Sequence, residues 1–249
     1  MRSRSYAVLL ALAAGFAAHA GGAGGPARAA EPAATSAILV ARYGFDSRSS
    51  AIADISGRGH TLTVVAGHGG AVRAIAHGAG RALAFPGKCT AKAAKICPHV
   101  VLQTPGAADL NPGTKPVAYG AAVLLAKNQT TKGQNVVQKG YSATTSQYKL
   151  QIDGAAGRPS CVLVDDTKPG IRLIRSSVSV ADGTWHTIEC RRIGPAFAIL
   201  VDGVARGVSI VPATLSVNNT GPLSVGGKGA YRDNDQFQGA LDNVWIRIG

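Results

Sequence analysis

Glutamate is nearly missing from this 249-residue chain: Glu31 and Glu189 are the only two. Glycoside cleavage by the common two-carboxylate route needs both groups aimed at one bond, about 5–10 Å apart. Glu31 sits in the N-terminal tail, and Glu189 has no carboxylate two residues away on its strand face. The adjacent Asp165 and Asp166 diverge to opposite faces of an extended chain. A strand-borne glycosidase pair is therefore excluded. Also missing are a Gly-x-Ser-x-Gly elbow, a His-Glu-x-x-His helix, a phosphate loop and a Cys-x-x-Cys zinc spacing. Past the N-terminal segment no run reaches eighteen apolar residues, which excludes a later membrane-spanning helix. Long amphipathic patterns of helical period are absent too, so an α-rich fold is excluded. Aromatic residues are only 5% of the chain, so a ligand platform of rings can draw on few positions.

What is present begins with an export signal. Arg2 and Arg4, the apolar run from Tyr6 to Ala18, and Ala27-Arg28-Ala29 have the layout of a secretory signal peptide. The expected organisation is a signal peptide over 1–29, a flexible tail over 30–36 and one domain over 37–249, secreted, monomeric and not inserted in a membrane. Lysine and arginine number 26 against 13 acidic residues. Loss of Arg2, Arg4 and Arg28 with the signal leaves a net charge of about +10, which favours anionic partners. The basic residues are scattered, which argues against nucleic acid. Four cysteines in an exported chain imply two disulfides. Cys89 and Cys97 enclose one short loop, and pairing them leaves Cys161 for Cys190.

Period-two alternation and β-branched runs dominate, with fourteen predicted strands from Ala37–Phe45 through Trp185–Ile193 to Leu241–Ile248. Asp153-Gly154, Asp182-Gly183 and Asp202-Gly203 supply turns, because glycine takes positive φ without steric cost. A helical turn is expected only at Thr90–Ile96. Short strands with frequent turns predict an all-β sandwich or barrel. In Trp185–Ile193 the alternation places Trp185, Thr187, Glu189 and Arg191 on one face, and His186, Ile188, Cys190 and Arg192 on the other. Trp185 is expected in the core, with His186 held beside it at the strand start.

"DGTWHTIECRR", "FAILVDGVARG", "LSVGGKG" and "DQFQGALDNVWI" follow one another in the order and spacing of a laminin G-like domain. With the opening "ARYGFD" and "DISGRGHTLTV", the chain from Ile38 to Gly249 resembles the bacterial secreted form of that domain, within the concanavalin A-like lectin/glucanase superfamily. The resemblance implies a two-sheet antiparallel jelly-roll sandwich, of six or seven strands per sheet, with one sheet concave. It also implies a structural Ca2+ held by Asp46 and Asp242 where the first and last strands meet. Asp233-Asn234-Asp235 is a second calcium candidate, since a hard cation takes several oxygen ligands.

A sugar stacks its C–H face on a ring and needs polar partners for its hydroxyls. Tyr141 and Tyr231 fall on predicted loops, where an aromatic has less packing reason to exist, and Trp245 alternates with the core face of the last strand. Ligand-binding residues are therefore expected to be Tyr141, Tyr231, Trp245 and Arg232, with Lys139 and Lys228 nearby to attract an anionic glycan. The expected function is non-catalytic recognition of carbohydrate or a glycan-bearing cell surface. Its rivals are a glycan hydrolase or lyase with an unfamiliar site, and a protein-binding adhesion module.

Overall fold

Because successive side chains of an extended chain point to opposite faces, a chain of alternating apolar and polar residues must stack its sheets apolar face to apolar face. The computed structural model describes residues 37–47, 51–89, 96–231 and 233–249 and carries this out with fifteen strands. The signal peptide and tail expected over 1–29 and 30–36, and Thr90–Lys95 of the expected helical turn, lie outside the described residues.

One sheet has eight strands: β1 (Ile38–Tyr43), β3 (Arg73–His77), β4 (Gly80–Ala84), β6 (Val117–Leu124), β11 (Trp185–Ile193), β12 (Ala196–Val201), β13 (Val204–Ile210) and β15 (Ala240–Ile248). Its order is β13-β12-β11-β6-β15-β4-β3, with β1 beside the C-terminal half of β15. The other has seven: β2 (Thr63–Gly67), β5 (His99–Thr104), β7 (Gly133–Gly140), β8 (Gln147–Asp153), β9 (Arg158–Val164), β10 (Ile171–Arg175) and β14 (Leu223–Val225), in the order β10-β9-β8-β7-β14-β5-β2. All these strand pairs are antiparallel. The fold is a jelly-roll sandwich, with one sheet a strand wider than the resemblance implied.

The core lies between the sheets. Tyr119 of β6 and Tyr148 of β8 are fully buried with ring centroids 4.9 Å apart. Their hydroxyls are satisfied across the sandwich, Tyr148 donating to the Leu110 carbonyl at 3.2 Å and Tyr119 to the Lys149 and Val162 carbonyls at 3.4 Å. Truncating either ring to alanine would cost roughly 3–5 kcal/mol, since a cavity is left and two layers lose their contact.

Both expected disulfides are present, Cys89–Cys97 and Cys161–Cys190. Cys161 lies on β9 of the seven-stranded sheet and Cys190 on β11 of the eight-stranded sheet, both fully buried. The bond therefore joins the two layers through the core. Its cysteines are 29 residues apart, a loop whose closure stabilises by about 3.6 kcal/mol in the chain-entropy account.

The faces of β11 follow the alternation: Ile188, Cys190 and Arg192 are buried while Thr187 and Arg191 are exposed. Trp185 is the exception to its expected burial. It lies half-buried on the outer face and stacks on His77, centroids 3.9 Å apart. The core-facing position opposite belongs to His186, so alternation itself sends the indole outward. β3 had no sequence signal, because Arg-Ala-Ile-Ala-His offers one β-branched residue in an Ala/Gly-rich stretch. It forms by pairing with β4. The predicted strand Ile171–Val180 stops at Arg175, where the Ser176 and Ser177 amides turn to the Pro159 and Arg206 carbonyls.

Candidate functional site

The seven-stranded sheet carries one continuous row of side chains across its outer face. Register pairs Thr63 with Gln103, Gln103 with Ser224, Ser224 with Gln138, Gln138 with Lys149, Lys149 with Val162, and Val162 with Leu173. Alongside run Asn135, Gln151 and Ser160. Their sequence neighbours Leu102, Val137, Leu150 and Cys161 fill the core, so the row faces away from it. A sheet face turned from the core is ordinarily wet. Here Gln138 and Ser224 are buried and Asn135 is fully so. The face is thus the floor of a recess.

The β14–β15 loop makes one wall. The Lys228 carbonyl accepts from Gln103 Nε2 at 3.1 Å, and the Asp235 carbonyl accepts from the Asn135 amide at 2.8 Å, which lays the loop along the floor. Asp233 and Asp235 hold φ of 64° and 50° in this loop, conformations that cost energy in a non-glycine residue. Lys228 Nζ pairs with Asp235 Oδ2 at 2.6 Å and lies 5.8 Å from the centre of the Tyr141 ring. Burial works against the Lys228 charge, but the hydrogen bond and charge of Asp235, with Tyr141 and Tyr231 nearby, together outweigh it and raise the pKa. Tyr231 lies over Gly229: a Cβ there would come 2.5 Å from the ring, so any larger residue would push the tyrosine aside. Burial, with Tyr141 and Asp235 close by, raises the Tyr231 pKa.

Lys149 stands on the floor. Burial lowers its pKa, with Lys228 adding to the effect and Asp235 and Asp153 opposing it. Among the described residues its ammonium has no hydrogen-bond or ion-pair partner. Asn135 gives its Nδ2 to Gln138 Oε1 at 2.7 Å, while its own Oδ1 is buried without a partner. The recess therefore combines amide heads that donate and accept, two ammonium groups, a carboxylate, and two phenol rings at 40% and 49% exposure at its mouth. Such a set matches a polyhydroxylated ligand with an acidic substituent.

Tyr141 and Tyr231 both lie near Lys228. Arg232 lies outside the described residues. Trp245 does not join them. It sits on the outer face of the other sheet, flat against Gly120 and with the Arg247 guanidinium 5.8 Å from its ring. Lys139 is not at the rim either. It pairs with Tyr148 on the core side and is fully buried, Nζ donating to the Asn219 carbonyl at 2.8 Å and to Asn219 Oδ1 at 2.7 Å. Burial pushes its pKa down to about 8. Lys149, Gln138 and Asn135 went unnoticed in the sequence, although the polar alternation of Gln147-Tyr-Lys-Leu-Gln151 marks an outward polar row.

The first and last strands are neighbours, as calcium at Asp46 and Asp242 requires. Asp46 Oδ1 accepts from the Arg81 amide at 2.8 Å, while Asp242 accepts from His77 Nδ1 at 2.6 Å and from the Asn243 amide at 2.6 Å. Both carboxylates hold the turn end of the β3–β4 hairpin. Asp233 pairs with Lys132 at 2.7 Å and Asp235 with Lys228, so the second candidate is also occupied by cations of the chain. Among the described residues no group of three or more His, Cys, Asp or Glu side chains could hold a metal ion. As placed, these side chains do not furnish the oxygen set calcium takes.

His186 is gripped rather than packed. Its Nδ1 lies 2.7 Å from Asp202 Oδ2 and its Nε2 3.0 Å from Asp182 Oδ2. Burial opposes the imidazolium, but the bonds to Asp202 and Asp182 outweigh it and raise the pKa.

Two antiparallel sheets packed face to face as a jelly roll define a concanavalin A-like sandwich. The chain belongs to the concanavalin A-like lectin/glucanases superfamily, whose model matches residues 102–247. No curated protein matches it. Among solved structures it is similar to domain 4 of AbnA, a GH43 extracellular arabinanase from Geobacillus stearothermophilus, in complex with arabinotriose, with TM-score 0.64 and 16% identity over 86% of this chain and 93% of that one. It is also similar to the binding domain of Paraclostridial Mosquitocidal Protein 1, with TM-score 0.62 and 14% identity, and to that of Botulinum neurotoxin DC in complex with SialylT, with TM-score 0.58 and 10% identity. Each toxin match covers 84% of this chain and 48% of the toxin chain, so the chain spans about half of those molecules. At these identities the likeness is one of fold.

Proposed function

We propose that the protein is an extracellular glycan-binding module and that the recess on the seven-stranded sheet is its site. One observation carries the reading: a row of buried amides with half-buried Lys149 and Lys228 beside it lies next to two partly exposed tyrosines, on a sheet face that packs against no core. Fold relatives that bind arabinotriose and SialylT support it. The two disulfides fit an oxidising compartment. The unpartnered Lys149 favours an acidic group on the glycan, so affinity should fall as salt screens the exposed charges, over about 10 Å at 0.1 M.

A glycan array, followed by titration of its hits with the Tyr141→Ala/Tyr231→Ala double variant and with Lys149→Met, tests this. Loss of binding by at least tenfold in the double variant, with an unchanged melt, is expected. Unchanged affinity in all variants removes the recess as the site.

A second reading rests on Asp153 and Asp235. A side chain added at Gly133 would lie 3.9 Å from Asp235 and 4.0 Å from Asp153, so tertiary structure brings together two carboxylates that no single strand presents. Asp235 is ion-paired to Lys228 and Asp153 accepts from Ser160 Oγ at 2.5 Å, which suits binding better than proton transfer. Reducing-sugar release by clean protein, abolished by Asp153→Asn, would favour hydrolysis instead.

A further inference from the structure

Where the recess ends at Gly133 and Asp235, a separate cleft opens. It has a volume of about 210 Å³, and its sides are Lys88 and the Cys89–Cys97 bond, Thr131 to Gly133, and Asp233 to Gln238. Its charged groups are already matched. Lys132 pairs with Asp233, Lys228 with Asp235, and Lys88 donates to the Thr130 carbonyl at 3.2 Å. Asn234 donates to the Gly229 carbonyl at 2.7 Å, and Gln236 Oε1 accepts from the Val100 amide at 2.7 Å.

Two lining side chains are left over. Gln238 and His99 are 9% and 5% exposed, and Gln238 Oε1 and both ring nitrogens of His99 are buried without a partner. A buried polar atom left unpaired costs about 1–3 kcal/mol, so two such groups on one cleft need an explanation. Neither is poorly placed by its backbone. The Gln238 amide donates to Gln134 Oε1 at 2.8 Å and its carbonyl accepts from Gln129 Nε2 at 2.7 Å, so only the head group is left facing the cleft. His99 is fixed on β5 opposite Gly67. Burial and the neighbouring His68 lower its pKa, with Asn234 beside the ring opposing them, which favours a neutral imidazole, one nitrogen donating and the other accepting.

A partner for these groups must donate to an amide oxygen and both donate to and accept from a neutral imidazole. A hydroxyl does all three. A charged ligand would have to break one of the existing ion pairs. The volume is several times the roughly 30 Å³ of a water and below the roughly 300 Å³ at which drug-sized pockets begin.

We infer that the cleft is a subsite for one neutral sugar ring, whose hydroxyls complete Gln238 and His99. The inference rests on the glycan-binding reading of the recess, and the cleft would hold a ring next to those bound there. The short disulfide then has a task, since it fixes one wall of the subsite.

The test is side-chain NMR of the full mature chain, titrated with free glucose, galactose, mannose, xylose, arabinose and N-acetylglucosamine. At least one sugar is expected to shift the Gln238 amide and His99 ring signals at millimolar concentration. Gln238→Leu and His99→Phe should each weaken that binding at least tenfold. If no sugar moves either signal in the parent protein, the subsite is overturned whether or not the variants fold. If oligosaccharides bind in a Tyr141- and Tyr231-dependent way while Gln238 and His99 stay silent, the recess stands and the subsite falls. If monosaccharide shifts persist in the Tyr141→Ala/Tyr231→Ala variant, the subsite stands even where the recess reading fails.

Discussion

Replacing Lys139 with methionine should make the protein more stable, and the gain should vanish in alkali. The ammonium is fully buried on the core side of β7, and its pKa falls from 10.5 to about 8 through burial. A fall of that size is about 3 kcal/mol of preference for the neutral form. In the unfolded chain lysine keeps its ordinary affinity for the proton. Below pH 8 both states are charged and the whole cost is borne by the folded protein. Between 8 and 10.5 the folded protein sheds its proton while the unfolded chain keeps it, so parent stability rises relative to the variant. Above 10.5 the cost is gone.

Methionine keeps the stem and removes the charge without leaving new orphans: the Asn219 carbonyl still accepts from Asn111 Nδ2 at 3.0 Å, and Asn219 Oδ1 from the Gly221 amide at 3.0 Å. The stability gap between Lys139→Met and parent should therefore narrow by about 3 kcal/mol from about pH 7 to about pH 10.5. In a domain of this size that is roughly 6–12 °C of melting temperature. Thermal melts followed by circular dichroism on both proteins across that range measure it, and other titrations cancel in the difference. A gap that stays constant with pH refutes the burial reasoning.

Removing Cys161–Cys190 by paired alanine substitution should cost about 3.6 kcal/mol and removing Cys89–Cys97 about 2.5, from loops of 29 and 8 residues. Calorimetry in which the shorter bond matters more would contradict the loop-length account. His186→Gln should lose about 1 kcal/mol at pH 5.5, where the imidazolium is gripped by Asp182 and Asp202, because such partly exposed pairs are weak. The folded pKa is raised, so this stabilisation is full below the ordinary value of 6.5 and is lost as pH rises through the folded value. A gap between parent and variant that grows toward pH 9 would reverse the assignment. Chelation should leave the melting temperature unmoved, while Asp242→Ala should lower it by releasing His77 of the β3–β4 hairpin from β15. A calcium-dependent rise that Asp242→Ala abolishes would instead restore the ion between Asp46 and Asp242.

Strands, turns and disulfides were legible in the sequence because each depends on neighbours a few residues away or on compartment. Alternation named the faces of β11, Asp202-Gly203 ended β12 with positive φ at both residues, and an even cysteine count gave two bonds. Two loop tyrosines could be singled out because an aromatic without a packing role stands out locally.

What the sequence could not decide is which surfaces meet. Lys139 and Lys149 lie ten residues apart on paired strands and look alike in sequence. The β7 register turns the first into the core and the second onto the recess floor. Trp245 and Tyr141 both suit sugar stacking, yet they belong to opposite faces of the sandwich because β15 and β7 fall in different sheets. Asp153 and Asp235 converge on Gly133, and Gln238 and His99 on one cleft, only after strands far apart in sequence pair. Local chemistry determined the elements. Long-range strand order, set by burying all the apolar faces at once, decided the site.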